Sequence, residues 1–204
     1  MPEATEADHK IVINVGCGPP GASPLPAYFN GWRHVRIDVD ETAQPDILAE
    51  ATDLSRIGHG TVDAVWSAHC IEHMYVHEVT KALWEFHRVL RKTGFVCVVV
   101  PDLQAIAKYI ASDRMHEAVY QSNSGPVTAH DMIFGFGPAI EQGRTAMAHR
   151  CGFTPSAILE CFRQVPFGEV VLRRRPNLEL VAVARKLPSH SASERSSLLD
   201  ELQL

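Results

Sequence analysis

Residues 11–38 constrain this chain more than any other stretch. Ile11–Val15 (IVINV) is a short β-branched run, and Gly16-Cys17-Gly18-Pro19-Pro20-Gly21 follows it directly. A buried strand running into a G-x-G-x-x-G turn places glycine where the main chain must bend tightly and admit a ligand. His34–Asp38 (HVRID) reads as a second strand that ends in an acid. That acid follows the glycines at about the separation, roughly 20 residues, from which a carboxylate reaches a ribose diol. Strand, loop and acid together point to a parallel α/β sheet that holds an adenosine-containing ligand.

The rest of the chain fits such a sheet. Asp46–Leu48, Val62–Trp66 and Phe95–Val100 are further short apolar runs, suited to strands covered on both faces. Between the last two, Val79, Ala82, Leu83, Phe86, Val89 and Leu90 recur at helical spacing. Glu78 near the start of that helix and Arg88, Arg91 and Lys92 near its end suit its dipole. Gly94 is placed to take a left-handed conformation at its end. A second helix is expected over about 103–112. Residues 113–150 look irregular and are expected to cover a site. Thr154-Pro155 starts another helix, and Glu169–Leu172 and Leu178–Ala184 form an antiparallel hairpin joined by Arg173-Arg174-Arg175-Pro176-Asn177. The expected fold is a Rossmann-like three-layer sandwich. Its mostly parallel seven-stranded sheet ends in an antiparallel C-terminal hairpin and occupies one domain over 1–186. A serine-rich tail, 187–204, could close with a loose helix.

A dinucleotide needs a helix N-terminus behind the glycine loop for its pyrophosphate. Pro19, Pro20, Pro24 and Pro26 shorten or break that helix. A ligand with only a carboxylate and an adenosine places lighter demands on the turn, which favours S-adenosylmethionine over a nicotinamide dinucleotide. INVGCGPP, VRIDVDE and VDAVWSAHCIEHM with ALWEFHRVLRKTGFVCVVVPDL resemble, in order, the successive motifs of class I S-adenosylmethionine-dependent methyltransferases. With HRCGFTPSAILECF, the chain is similar to a bacterial group of small methyltransferases carrying PDLQ and AHxxGFT elements. The resemblance implies S-adenosylmethionine as cofactor. Gly16, Cys17 and Gly18 would line its methionine part, and Asp38 would hold its ribose. Glu50, with Ala51 and Thr52, would lie at the adenine, where Asp53 competes with Glu50. Ser67, Ala68 and His69 would stand beside the cofactor.

His69-Cys70-Ile71-Glu72-His73 also matches H-x-x-E-H, a zinc-protease pattern. His69 directly follows a strand, which argues against the helix that pattern needs, and no metal is expected. Glu72 and His73 are expected to open the next helix and satisfy its free amides or to hold the loop. His69, His73 and His149 are candidate bases for an acceptor that must lose a proton. Tyr120, Asp131, Arg144 and His149 fall in the 113–150 stretch and could select the acceptor. Cys17 and Cys70 read as packing residues rather than nucleophiles, and the three arginines as a solvated hairpin.

Composition narrows the partners. A net charge of -5, from 19 basic and 24 acidic residues, argues against nucleic acid and leaves a small-molecule acceptor. No apolar run reaches the roughly 18 residues of a membrane span. The polar start MPEATEADHK lacks the apolar segment of a secretory signal, and five cysteines without a CxxC pair suit a reducing cytoplasm. Methyl transfer is the leading reading. A nicotinamide oxidoreductase and a non-catalytic module that binds S-adenosylmethionine are the alternatives.

Overall fold

The computed structural model describes residues 9–122, 124–188 and 198–202. Seven strands form one sheet: β1 (Ile11–Val15), β2 (Arg33–Asp38), β3 (Ile47–Leu48), β4 (Val62–Ala68), β5 (Leu90–Pro101), β8 (Val170–Arg175) and β9 (Glu179–Arg185). Their order is β3-β2-β1-β4-β5-β9-β8. The first five are parallel, and β9 runs antiparallel to both β5 and β8. The expected Rossmann-like sheet with an antiparallel end is therefore present. The direction of winding reverses between β1 and β4, and the carboxyl ends of strands at such a reversal leave a crevice open to ligands.

The apolar runs are buried because both faces of the sheet are covered. On one face, α1 (Val76–Val89) lays down Val79, Ala82, Leu83, Phe86 and Val89, and α5 (Pro155–Arg163) adds Ile158 and Phe162. Thr154 caps α5 as expected, accepting from the Ala157 amide, with Pro155 at the first helical position. The opposite face is covered differently. No α-helix lies between β1 and β2, where the prolines leave only a 3-10 turn at Ala27–Phe29. Phe29 packs edge-on against Tyr28 and against Trp32, which follows the turn, while Tyr28 and Trp32 meet at a tilt. Phe95 and Trp66 receive them from the sheet. Leu198, Leu199 and Leu202, from a C-terminal turn helical over 198–201, complete this cover. The expected tail helix is thus present in its last turns; residues 189–197 and 203–204 lie outside the described part.

Three expectations need correction. Residues 113–150 are not irregular: they hold an antiparallel pair, β6 (Ala118–Ser122) and β7 (Gly125–Thr128), then α3 (Ala129–Phe134) and α4 (Gly137–Glu141). Their apolar residues Val127, Ala129 and Met132 make a small core of their own with Ile106 of α2 (Leu103–Ala111). The glycines suggested a loop because short hairpins and one-turn helices leave little periodicity to read. Gly94 has no left-handed conformation; α1 ends at Val89 and the chain extends at once through Leu90. Gly94 serves close packing instead, since a Cβ there would stand 2.9 Å from the Asp63 carbonyl. The three arginines lie within β8 rather than in its link to β9.

If the C-terminal turn is part of the cover, Leu199→Ala should destabilise the fold by about 2 to 5 kcal/mol. Urea denaturation measures this, and a loss below about 0.5 kcal/mol, the scale of an exposed substitution, would remove the turn from the core.

Candidate functional site

The glycine loop is fastened to β2 along its length. Gly16 and Cys17 donate their amides to the Ile37 carbonyl at 2.9 and 3.2 Å. Gly16 takes φ +74, and a Cβ there would lie 2.5 Å from both Cβ and Sγ of Cys70. The residue must therefore be glycine on two grounds, conformation and close approach. Gly18 donates to Asp38 Oδ2 at 2.8 Å, and Asp40 donates to Oδ1 at 3.0 Å. Each carboxylate oxygen keeps further acceptor capacity, so Asp38 is both the anchor of the loop and a free acceptor at the crevice.

Arg36 was not legible as a site residue. Its guanidinium donates to the carbonyls of Gly18 at 2.6 Å, Ala43 at 2.8 Å and Gln44 at 2.7 Å. It thereby ties the glycine loop to the turn between β2 and β3. Only its place two residues before the acid, on the same side of the strand, could have hinted at this.

Beyond β3, Glu50 is exposed and accepts from the Thr52 hydroxyl at 3.1 Å, while Ala51 is buried. Asp53 accepts from the Ser55 amide at 3.0 Å, and Ser55, through its hydroxyl first and then this amide, holds the carboxyl below the usual range. Asp53 is thus occupied in its own turn, and Glu50 is the freer acid. At the end of β4, Ser67 and Ala68 are buried, and the Ser67 hydroxyl has no hydrogen-bond partner among the described residues. A left-handed glycine loop and a two-oxygen acceptor stand together at the carboxyl ends of β1 and β2. These residues fit an adenosyl ligand with a short polar arm.

The histidine cluster differs from expectation. Ile71–His73 is a 3-10 turn and α1 begins only at Val76, with Glu78 accepting from the Tyr75 amide at 2.9 Å. Glu72 therefore caps nothing with its side chain. His69 sits at φ +51, outside any helix, so H-x-x-E-H does not present the helical face of a zinc protease. His69 Nε2 meets Glu179 Oε1 at 2.9 Å, and its Nδ1 stands 3.3 Å from Glu72 Oε1. Burial works against a charge on His69, yet the two carboxylates outweigh it and push its pKa up to about 10. With both ring nitrogens facing carboxylates, His69 is a charged brace rather than the base the sequence suggested. Arg175 extends the brace, pairing with Glu179 Oε2 at 3.1 Å.

His73 and His149 are different. Their rings meet edge to face with centroids 4.8 Å apart. His73 Nδ1 lies 3.3 Å from the Ala148 carbonyl and His149 Nδ1 lies 3.2 Å from the Met132 carbonyl. A carbonyl only accepts, so each Nδ1 carries its proton and the neutral ring keeps its lone pair on Nε2. Burial lowers the His149 pKa, which favours that neutral form. The Arg150 and Cys151 amides both donate to the Glu72 carbonyl, at 2.8 and 3.1 Å, so residues 149–151 are strapped to the Glu72 turn.

The remaining expected residues separate into roles. Tyr120 is near Glu72, Glu179 and Asp131; burial first, then these carboxylates, push its hydroxyl up to about 12. Asp131 accepts from the Thr128 amide and hydroxyl and from the Gly137 amide, which makes it a cap within 113–150. Arg144 reaches back to Asp40, 4.0 Å away beside the glycine loop. Burial keeps the Cys17 thiol neutral and pushes Cys70 to about 12, as packing residues require. Arg173 and Arg174 pair with Asp200 at 2.7 Å and Asp102 at 2.9 Å.

Residues 13–98 match a family described as a methyltransferase domain. Among curated proteins, none matches the sequence significantly. A Pyrococcus horikoshii protein shares the fold with a TM-score of 0.60 at 15% identity, over 91% of this chain and 84% of its own. A Methanosarcina mazei S-adenosylmethionine-dependent methyltransferase gives 0.55 at 16% identity, over 89% and 94%. The Burkholderia thailandensis 1,6-didemethyltoxoflavin-N1-methyltransferase, solved with its substrate and S-adenosylhomocysteine, gives 0.52 at 18% identity, over 88% and 72%.

Gly16→Ala should lower stability by about 1 to 3 kcal/mol through its left-handed backbone alone, and by more where Cys70 cannot yield. Gly21→Ala is the control: φ is +84, but its Cβ would meet nothing within 4 Å. Thermal denaturation compares them, and equal losses would show that Cys70 does not close over Gly16.

Proposed function

We propose that this chain is a class I S-adenosylmethionine-dependent methyltransferase and that it methylates a small molecule held between that cofactor and the Glu72–His73–His149 cluster. The observation that carries this reading is the company of that cluster. Glu72 and His73 follow the end of β4, Cys70 of the same link closes on Gly16, and His149 comes from residues 113–150, which we read as the cover of the crevice. Arg144 on Asp40 brings that roof to the loop side of the crevice. Tyr120 brings it near Glu72 and Glu179. A roof that spans the crevice suits an acceptor small enough to be enclosed. The Burkholderia neighbour acts on a small heterocycle, which agrees with this class.

When bound, S-adenosylmethionine supplies a methyl group on a sulfonium, and sulfur keeps the bond electrons as an acceptor lone pair forms the new bond. What the chain supplies is alignment and control of the acceptor's proton. The Gly16–Gly18 main chain receives the methionine part. Asp38 accepts from the ribose hydroxyls, and Glu50 faces the adenine with the Ala51 and Thr52 main chain. Ser67 offers its free hydroxyl at the end of β4. His69 braces Glu72 and Glu179 against movement, and His73 and His149, each with Nδ1 committed to a main-chain carbonyl, leave Nε2 for the acceptor.

The nicotinamide reading loses support because no α-helix begins behind the glycine loop. The net charge of -5 favours a small acceptor over nucleic acid. No described helix is long and apolar enough to cross a membrane. All five cysteines are free thiols, which suits the cytoplasmic setting we propose.

Calorimetry tests the cofactor half directly. S-adenosylhomocysteine should bind and NAD should not. Asp38→Ala should weaken that binding by about tenfold to a hundredfold through lost charge-assisted hydrogen bonds. Unchanged affinity would take Asp38 out of the site, and tight NAD binding in place of S-adenosylhomocysteine would overturn the reading.

A further inference from the structure

Glu72 is completely buried, yet neither of its carboxylate oxygens has a hydrogen-bond donor among the described residues. Its nearest cation, His69 Nδ1, lies 3.3 Å from Oε1 at ion-pair separation, and Oε2 has no such neighbour. A buried side-chain oxygen without a hydrogen-bond partner is the exception in a folded protein, and the Glu72 carboxylate therefore points to a partner that the fold is built to receive.

The surroundings say what that partner is. One donor atom each from Glu72, His73 and His149 lies within 4.8 Å of the others. Both histidines give their Nδ1–H to a main-chain carbonyl, Ala148 for His73 and Met132 for His149. Histidines that bind metals are commonly oriented in this way, with the second ring nitrogen fixed by a carbonyl or carboxylate. The backbone locks the set in place. Arg150 and Cys151 bond the Glu72 carbonyl, the His149 amide bonds the Phe134 carbonyl, and Gly135 pairs with Ala148. Three ligands from two distant segments, 72–73 and 149, are thus brought to one point and held there.

We propose that Glu72, His73 and His149 form a binding site for one divalent transition-metal ion. Two imidazoles and one carboxylate suit zinc, cobalt, iron(II) or manganese(II) better than magnesium or calcium, which prefer all-oxygen shells. Three protein ligands leave coordination positions open. The location of this site rests on the function proposed above, because it places the ion where the acceptor is held. The charges then indicate the acceptor's chemistry. Glu72 and Glu179 are balanced by His69 and Arg175, so a dication leaves the pocket positive. An anionic small molecule with two oxygen donors, such as a hydroxy acid or an enediol, completes both the charge and the coordination. The ion also lowers the pKa of a coordinated hydroxyl and so removes the need for a separate base.

Cobalt(II) titration of the whole protein, with no cofactor or acceptor, is the direct test. One equivalent should bind with a visible d–d absorption of nitrogen and oxygen ligation, and zinc should displace it. His149→Ala and His73→Ala should each weaken binding about tenfold to a hundredfold, with circular dichroism showing that each variant is folded. Absence of cobalt absorption overturns the proposal. So does affinity unchanged in both variants, or an intense near-ultraviolet thiolate band, which would place the ion on cysteine. Because the readout is metal spectroscopy, it is separate from S-adenosylhomocysteine calorimetry. Loss of one with retention of the other identifies which reading has failed.

Discussion

The Asp38 carboxylate commits one lone pair of each oxygen to main-chain amides, Gly18 and Asp40, and keeps the others for a ligand. That double use is the constraint on which the crevice depends. The β1 loop cannot relax outward while Asp38 holds it at Gly18. It cannot collapse inward either, because Arg36 draws the Gly18 carbonyl back toward the turn after β2. The loop is therefore clamped by an acid and a base from one strand, two residues apart. A site held in this way is preorganised, so little ordering cost falls on binding. Cys70 completes the clamp from the β4 side, close enough to Gly16 that no side chain could be added there.

This clamp accounts for an unusual economy elsewhere. Chains of this topology can bury the β1–β2 face under a helix, but here prolines deny the helix and aromatic rings do its work. Tyr28 and Phe29 of a 3-10 turn, with Trp32 just after it, supply large apolar area, and the edge-on contacts of Phe29 give them defined geometry. Without a helix N-terminus behind the loop, there is no fixed dipole for a pyrophosphate. The same substitution that thins the fold thus also narrows the ligand class.

Legibility along the sequence followed the range of the interaction. The strands β1, β2, β4 and β5 and the helix α1 were readable because their signals are local: apolar runs, period and caps. The glycine loop and Asp38 were readable because a strand boundary fixes their spacing. Arg36 and Glu179 were not, because their importance comes from contacts across 7 to 110 positions of chain that no local pattern records. His69 shows the same limit from the other side. The sequence offers an imidazole beside a strand end, which suggests a base, and only the fold reveals two carboxylates that keep it charged. Residues 113–150 were misread as irregular because each of their elements is too short to show a period.

The crevice then divides into two electrostatic halves with different reasons to exist. Around the glycine loop each charge of the clamp is answered, Asp38 by amides and Arg36 by carbonyls. On the side proposed for the acceptor, the chain Arg175–Glu179–His69 is answered link by link, and the alternation of sign stops at Glu72. His69 answers Oε1 of that acid across 3.3 Å, while Oε2 is left without a partner among the described residues. Burying an acid in this way costs desolvation energy, which the cation proposed above would offset. Each imidazole beside Glu72 commits Nδ1 to a carbonyl and leaves Nε2 for the same species. A single cation meets all three needs at once, whereas three separate donors from one small ligand would have to converge within the same few ångströms.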